Sequence, residues 1–181
     1  MSKMKIAIQG ELGAYSHIAV EKLYKDAEIK TCATFEDTFK QAYNDPNCKI
    51  VIPIENSLAG RVADIHYLLG DYDLKIYAEH FQEVKHQLLA KKGTTIDEIK
   101  FVRSHSMAIG QCQSAIKRLN LTPIVMADTA GSAKHISEIG TDEDSAIASH
   151  LAAEIYGLDI LESDIQDITS DVNLNQMVIV K

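Results

Sequence analysis

Four stretches of this 181-residue sequence place small and polar side chains just after a short apolar run and just before a helix-period segment. Gln9-Gly10-Glu11-Leu12-Gly13-Ala14-Tyr15-Ser16 closes the run beginning at Lys5, and Glu55-Asn56-Ser57 follows Ile50 to Ile54. Ser104-His105-Ser106 follows Phe101-Val102, and Asp128-Thr129-Ala130-Gly131 follows Ile124 to Met126. A helix start carries unpaired backbone N–H groups and a partly positive dipole end, so each corner suits a carboxylate. Taken singly, Ser16, Ser57, Ser106 and Thr129 read as ordinary helix N-caps, and Asn56 as a residue that closes a turn. Together they lie at strand carboxyl ends, where open α/β sheets bind ligands. Glu55, a carboxylate directly after an apolar strand, either pairs with a cation or acts as an acid or base, and His105, after a strand, reads as a structural imidazole.

These corners need a scaffold, and the hydrophobic pattern supplies one. Short β-like runs alternate with helix-period segments, which predicts an α/β fold with a largely parallel or mixed sheet. A helix is expected from Ser57 to Leu69, with Leu58, Val62, Ile65 and Leu69 as its buried stripe. Thr34 and Asp37 form a capping-box-like start for a helix that buries Phe35, Phe39 and Tyr43. A single helix is expected from about Ser106 to Leu119, and Pro53 is read as the end of a strand. The extended stretch from Leu74 to Ala90 reads as a crossover, and the strand-like Met177 to Val180 as a return. Lobe one is therefore expected at about residues 1–78 and 166–181, and lobe two at about 79–165, with a cleft between them.

Composition narrows the chemistry. Hydrophobic residues make up 46% and charged residues 24%, as in ordinary globular proteins, and no apolar run is long enough to span a bilayer. A cytoplasmic location is the default expectation. The net charge of −8, from 26 acidic and 18 basic residues, argues against nucleic acid and anionic membrane as partners. Cys32, Cys48 and Cys112 are widely spaced with no Cys-x-x-Cys pair, so neither a disulfide framework nor a zinc site is expected. Gly10-x-x-Gly13 lacks the full dinucleotide fingerprint, which disfavours a nucleotide cofactor.

Several of these residues also carry a resemblance. Ile52-Pro53-Ile54-Glu55-Asn56-Ser57 with Gly60 and Val62, the Gly10-x-x-Gly13 turn, Ser104-His105 with Gln111, Asp128-Thr129-Ala130, and Ala146-Ile147-Ala148-Ser149 with Tyr156-Gly157-Leu158 occur in an order that resembles the catalytic domain of prephenate dehydratases. The resemblance implies two α/β lobes with a central cleft, periplasmic-binding-protein-like (type II). It implies conversion of prephenate to phenylpyruvate, carbon dioxide and water, with no cofactor, by a homodimer. It places Glu55 and His105 as shapers of the site, and Tyr15, Ser16, Asn56, Ser57, Ser104, Thr129 and Ala130 on the substrate. The family has Asn-x-Thr-Arg-Phe before its last strand, with Thr assisting hydroxyl departure and Arg binding carboxylate. Here Asn173-Leu174-Asn175-Gln176-Met177 stands instead, so Asn175 takes the catalytic position and Gln176 the binding one. No arginine follows Arg118, and Arg61 and Arg103, next to two of the corners, are the candidates to compensate. Loss of the motif keeps two alternatives open: a decarboxylase that leaves the ring non-aromatic, and a binding module for an aromatic acid. The ring substrate is prephenate or its aminated relative arogenate. The ACT regulatory domain common in the family is expected to be absent, since the sequence stops at Lys181.

Overall fold

The apolar run Ile6-Ala7-Ile8 forms the buried middle of the first strand, β1 (Lys5–Gln9), and two more parallel strands align beside it. The computed structural model describes residues 3–169 and 171–181. After β1 come α1 (Tyr15–Leu23), β2 (Glu28–Cys32), α2 (Phe35–Asn44), β3 (Cys48–Asn56), β4 (Gly60–Arg61), α3 (Ala63–Asp71) and β5 (Ile76–Glu83). The chain continues through β6 (Gln87–Ala90), β7 (Phe101–Ser104), α4 (Ser106–Gln111), α5 (Gln113–Arg118), β8 (Thr122–Val125) and α6 (Thr129–Ile139). It ends with β9 (Asp144–Ala148), α7 (His150–Tyr156), β10 (Asp159–Glu162) and β11 (Leu174–Val180).

Two compact units result. The first comprises residues up to Glu11, Tyr15–Glu83 and Asn173–Lys181, and the second Leu12–Ala14 and Val84–Val172. The sequence pattern puts the crossovers near residues 78 and 165. In the structure the first unit keeps its chain as far as Glu83, because β5 pairs with β11 all the way from Ile76↔Val180 to Glu83↔Leu174.

The first unit holds a mixed sheet in the order β2-β1-β3-β11-β5, with β4 added on β3. Strands β1, β2 and β3 run parallel, while β11 is antiparallel to both β3 and β5. One face packs Ala7, Ile50, Ile52, Val178 and Val180 against Phe39 of α2 and Ile65 of α3. A fully buried side chain the size of Ile or Phe contributes about 1.5–3 kcal/mol. The α2 start is the expected one, with the Thr34 hydroxyl oxygen accepting from Asp37 N–H at 3.0 Å. Tyr43, expected inside, is 63% exposed and meets the edge of Tyr72.

The predicted helix from Ser57 is corrected. Strand β3 runs on to Asn56 and folds back through a tight turn into β4, whose Gly60 has φ +83°, and the helix begins only at Ala63. Of the proposed stripe only Ile65 is fully buried, and Leu58 is 39% exposed. Pro53 lies inside β3 rather than at its end. It coincides with a bulge, where β11 shifts register between Gln176↔Glu55 and Met177↔Pro53, a place where a missing N–H costs no ladder bond.

The second unit has the order β10-β6-β9-β7-β8, with β9 buried along its whole length. Val102, Ile109, Ile116 and Ile147 fill one side. The other side is built of small residues, Ala130, Ala133, Ala146, Ala148, Ala152 and Ala153, around Leu89 and Ile136. The expected helix 106–119 is broken at Cys112 (φ −122°, ψ 26°) into α4 and α5. Asp167 accounts for the break, because its carboxylate accepts from the N–H groups of Gln113 and Ser114 at 3.0 Å each and caps the new start.

Candidate functional site

In the first unit the antiparallel register between β3 and β11 sets two of the singled-out segments side by side. Asn56 lies opposite Asn175, and Glu55 opposite Gln176 on one side and Arg61 on the other. Asn56 organises this junction. Its Nδ2 donates to Oδ1 of Asn173 at 3.0 Å and of Asn175 at 2.8 Å. Its Oδ1 accepts from the N–H groups of Leu58 at 2.9 Å and Ala59 at 2.8 Å. Two donor hydrogens and two acceptor lone pairs are the full capacity of a carboxamide, so Asn56 is saturated by the protein itself. Ser57 closes the corner, exchanging bonds of 2.9 Å with the Leu174 backbone through its own N–H and its Oγ.

This arrangement fixes what Asn175 can offer. With one lone pair of Oδ1 held by Asn56, the Asn175 carboxamide keeps its two Nδ2 donors and one acceptor lone pair. Gln176 faces a different neighbourhood: its Nε2 donates to the Glu79 carboxylate at 2.8 Å, and Glu55 stands across the strand from it. Tyr15 and Ser16 open α1 and are both buried, and the Ser16 hydroxyl points to Met177 Sδ at 4.0 Å.

Two residues that the sequence pattern does not single out share the Asn175 face. On β5, Gln82 lies opposite Asn175 and His80 opposite Met177. The Nε2 of His80 and the Oε1 of Gln82 are buried and have no hydrogen-bond partner. Their spacing of two on a strand is readable, but sequence alone does not tell which face of β5 is covered. Asn173, fully buried and bonded to Asn56, is likewise visible in the sequence only as part of a motif.

Ser104, His105, Thr129 and Ala130 belong to the second unit, so the structure does not gather all the predicted residues on one scaffold. There the corners act as helix starts, with the caps one residue earlier than expected. His105, not Ser106, caps α4, its Nδ1 accepting from Met107 N–H at 3.2 Å. Asp128, not Thr129, caps α6, its Oδ1 accepting from Gly131 N–H at 2.6 Å. The buried Ser104 hydroxyl donates to the Ile147 carbonyl at 2.6 Å. Nearby, His86 is buried with Nε2 2.9 Å from Gln111 Oε1, and burial pushes its pKa down to about 4 against the opposing effect of that bond.

Arg103 reaches Asp144 through Nε at 3.2 Å and Nη2 at 2.8 Å, in a pair only 20% and 9% exposed. Burial of Asp144 favours its neutral form, yet bonds from Thr141 and Arg103 outweigh this and hold its carboxyl below the usual range. The guanidinium thus neutralises a structural carboxylate, which argues against Arg103 as the substitute for the missing motif arginine. A separate groove of about 420 Å³ in the first unit is lined by Gln9, Thr34, Phe35, Glu36, Asp64, Tyr67 and Leu68, and its two carboxylates suit it poorly to a dianion. Among the described residues, no cluster of His, Cys, Asp and Glu could hold a metal ion, and no helix is long and apolar enough to cross a membrane.

Comparison with known proteins agrees with the motif order. The family model for prephenate dehydratase matches residues 6–174. A bifunctional N-acyl-homoserine lactone acylase/prephenate dehydratase of Komagataeibacter europaeus is 42% identical over 91% of this chain and 58% of its own length. Arogenate dehydratase/prephenate dehydratase 2 of Arabidopsis thaliana, a chloroplastic protein, is 39% identical over 94% of this chain and 45% of its own. The chain thus spans about half the length of these curated relatives. The solved structure of GqqA, described as a novel type of quorum quenching acylase, superposes with a TM-score of 0.89 at 39% identity, covering 98% of this chain and 63% of GqqA. An ABC transporter protein from Parabacteroides distasonis shares the fold alone, at a TM-score of 0.52 and 10% identity, which extends the likeness to periplasmic-binding-protein-like α/β folds. The strand-end corners, the β3–β11 junction and this match over nearly the whole chain together establish that the chain belongs to the prephenate dehydratase family.

Proposed function

We propose that this chain is the catalytic part of a dehydratase acting on prephenate or arogenate. The observation that carries the reading is the register of β3 with β11, which sets Asn175 and Gln176 beside Glu55-Asn56-Ser57. In the reaction the ring carboxylate leaves as carbon dioxide, and its bonding electrons enter the ring. The ring hydroxyl takes up one proton from solvent and leaves as water. Aromatisation drives the change, so the protein's share is to orient the ring and to stabilise the departing oxygen. Asn175 contributes a hydrogen-bond donor and no proton, while Asn56 holds it in place. Glu55 and the corner residues Tyr15, Ser16, Ser57, Ser104, His105, Thr129, Ala130 and Gln176 are assigned to shaping and lining the substrate site. We infer further that the enzyme needs no cofactor, works as a homodimer in the cytoplasm and serves phenylalanine formation.

A second reading is favoured by the acylase named for two relatives. An amide hydrolase of the serine type needs an imidazole within about 3 Å of the nucleophile. The hydroxyls of Ser16 and Ser104 point instead to Met177 Sδ and the Ile147 carbonyl, which favours the lyase reading at these two positions.

The deciding experiment incubates the chain separately with prephenate, arogenate and an N-acyl-homoserine lactone, with products identified by mass spectrometry. Phenylpyruvate or phenylalanine supports the dehydratase. Carbon dioxide with a retained ring hydroxyl points to the non-aromatising alternative, a released fatty acid to the acylase, and tight binding without products to a binding module.

A further inference from the structure

The Asn175 face contains two buried polar atoms with no hydrogen-bond partner among the described residues. Buried polar atoms are nearly always paired, and one left unpaired costs about 1–3 kcal/mol. His80 Nε2 and Gln82 Oε1 are two such atoms, two residues apart on one strand. Gln82 is 3% exposed and spends its Nε2 on the Glu83 carbonyl at 2.7 Å, so Oε1 faces inward as a bare acceptor. In an antiparallel pair, residues directly opposite share a face with Cβ atoms about 4.5–5.5 Å apart. The cross-strand neighbours here are Asn175 and Met177, and α1 packs against both β5 and β11.

The chemistry of these groups is complementary to one kind of guest. Asn175 offers a donor through Nδ2, Gln82 an acceptor through Oε1, and His80 a donor through Nε2 in the tautomer that carries hydrogen there. A hydroxyl, which donates once and accepts twice, matches all three. A carboxylate, an acceptor throughout, would be repelled by Gln82 Oε1. Two buried atoms kept unpaired beside the position that has exchanged an alcohol for an amide are what a binding group for the departing oxygen would look like.

We propose that His80 and Gln82 are substrate-contacting residues that seat the ring hydroxyl of prephenate or arogenate against Asn175. His80 Nε2–H donates to the oxygen as the carbon–oxygen bond weakens, and the hydroxyl hydrogen points to Gln82 Oε1. This assignment rests on the dehydratase reading and deepens it, since it supplies a group aimed at the hydroxyl beside the position where the family has its threonine.

The test compares His80→Phe, which keeps the ring and removes Nε2, with His80→Gln, whose amide reaches the same place, and with Gln82→Met. We expect His80→Phe to lower kcat on the order of 100-fold and to raise KM severalfold, because the contact is present in the bound substrate and strengthens as charge develops on the oxygen. His80→Gln should recover much of the loss, and Gln82→Met should lower kcat about tenfold. Thermal melting should show His80→Phe unchanged or more stable, since it deletes an atom with no partner. Calorimetric binding supplies a readout independent of turnover: prephenate should weaken in His80→Phe, while phenylpyruvate, which lacks the ring hydroxyl, should not. Wild-type kcat in His80→Phe, or equal weakening of both ligands, overturns the assignment. So does a drop in melting temperature that accounts for the lost activity. A wild-type chain that binds prephenate without turning it over defeats the dehydration reading alone, because the ligand comparison still decides the hydroxyl contact. Failure to bind either ligand overturns both.

Discussion

The strand-end corners of the two units look alike in sequence and differ in how they spend their polar groups. In the second unit the polar groups hold the fold together. His105 and Asp128 cap helices, Ser104 bonds the Ile147 carbonyl, and Arg103 neutralises Asp144. In the first unit Asn56 ties three asparagines and a turn together, yet the same sheet face leaves His80 Nε2 and Gln82 Oε1 unpaired. A corner finished by its own fold is a scaffold. A corner whose fold leaves hydrogen bonds unmet has capacity to spare, and this difference motivates the proposed hydroxyl seat on β5 and β11.

Substitutions can break or sharpen that contrast. The largest effect is expected for Asn56→Ala, which removes four hydrogen bonds, two to the Asn173 and Asn175 carboxamides and two from the Leu58 and Ala59 N–H groups. At about 1 kcal/mol for each lost bond, urea denaturation should show a loss of about 3–4 kcal/mol. Activity should fall even where the variant is fully folded, because Asn175 loses its anchor. Retention of both stability and activity would remove Asn56 as the organiser of the site.

Acid should strike the second unit next. His86 has its folded pKa lowered to about 4, so between about pH 6.5 and 4 the unfolded chain binds a proton that the folded chain refuses. Its contribution is fully present above pH 6.5 and declines as pH falls through that window, by about 3 kcal/mol in all. His86→Gln, which does not titrate, should flatten this part of the stability curve. An unchanged slope would mean that another group carries the acid sensitivity.

A smaller loss, about 2–3 kcal/mol, is expected for Arg103→Ala, which leaves Asp144 part-buried without its cation. Prephenate affinity of the folded fraction should not change. A selective loss of affinity with intact stability would restore Arg103 as a ligand-binding residue.

The smallest effect on stability belongs to Gln176→Arg, since a partly exposed arginine beside Glu79 and Glu55 gains at most about 1 kcal/mol. Combined with Asn175→Thr it restores the threonine and arginine of the family motif, and the rate of phenylpyruvate formation should rise. No increase would argue that the local backbone has diverged from the family's as well.

Much of the molecule was legible in the residues. Hydrophobic periodicity gave the alternation of strands and helices, Thr34 with Asp37 marked a helix start, and the ordered motifs gave the family, because these signals depend on near neighbours along the chain. Legibility failed where distant partners compete with local preference. Ser57 has the chemistry of an N-cap, but β11 supplies Leu174 as its partner and turns the segment into a hairpin. Thr129 and Ser106 likewise yielded their capping roles to Asp128 and His105, one residue upstream.

The sequence by itself determined the α/β class, the motif order and the absence of an arginine after Arg118, all of which are properties of composition and spacing. Only the tertiary structure decided that Asn56 meets Asn175, that Arg103 is consumed by Asp144, and that His80 and Gln82 share a face with Asn175. The physical reason is strand register. It is set by long-range pairing and by the bulge at Pro53, and a shift of one residue would send each strand-borne side chain to the opposite face of its sheet.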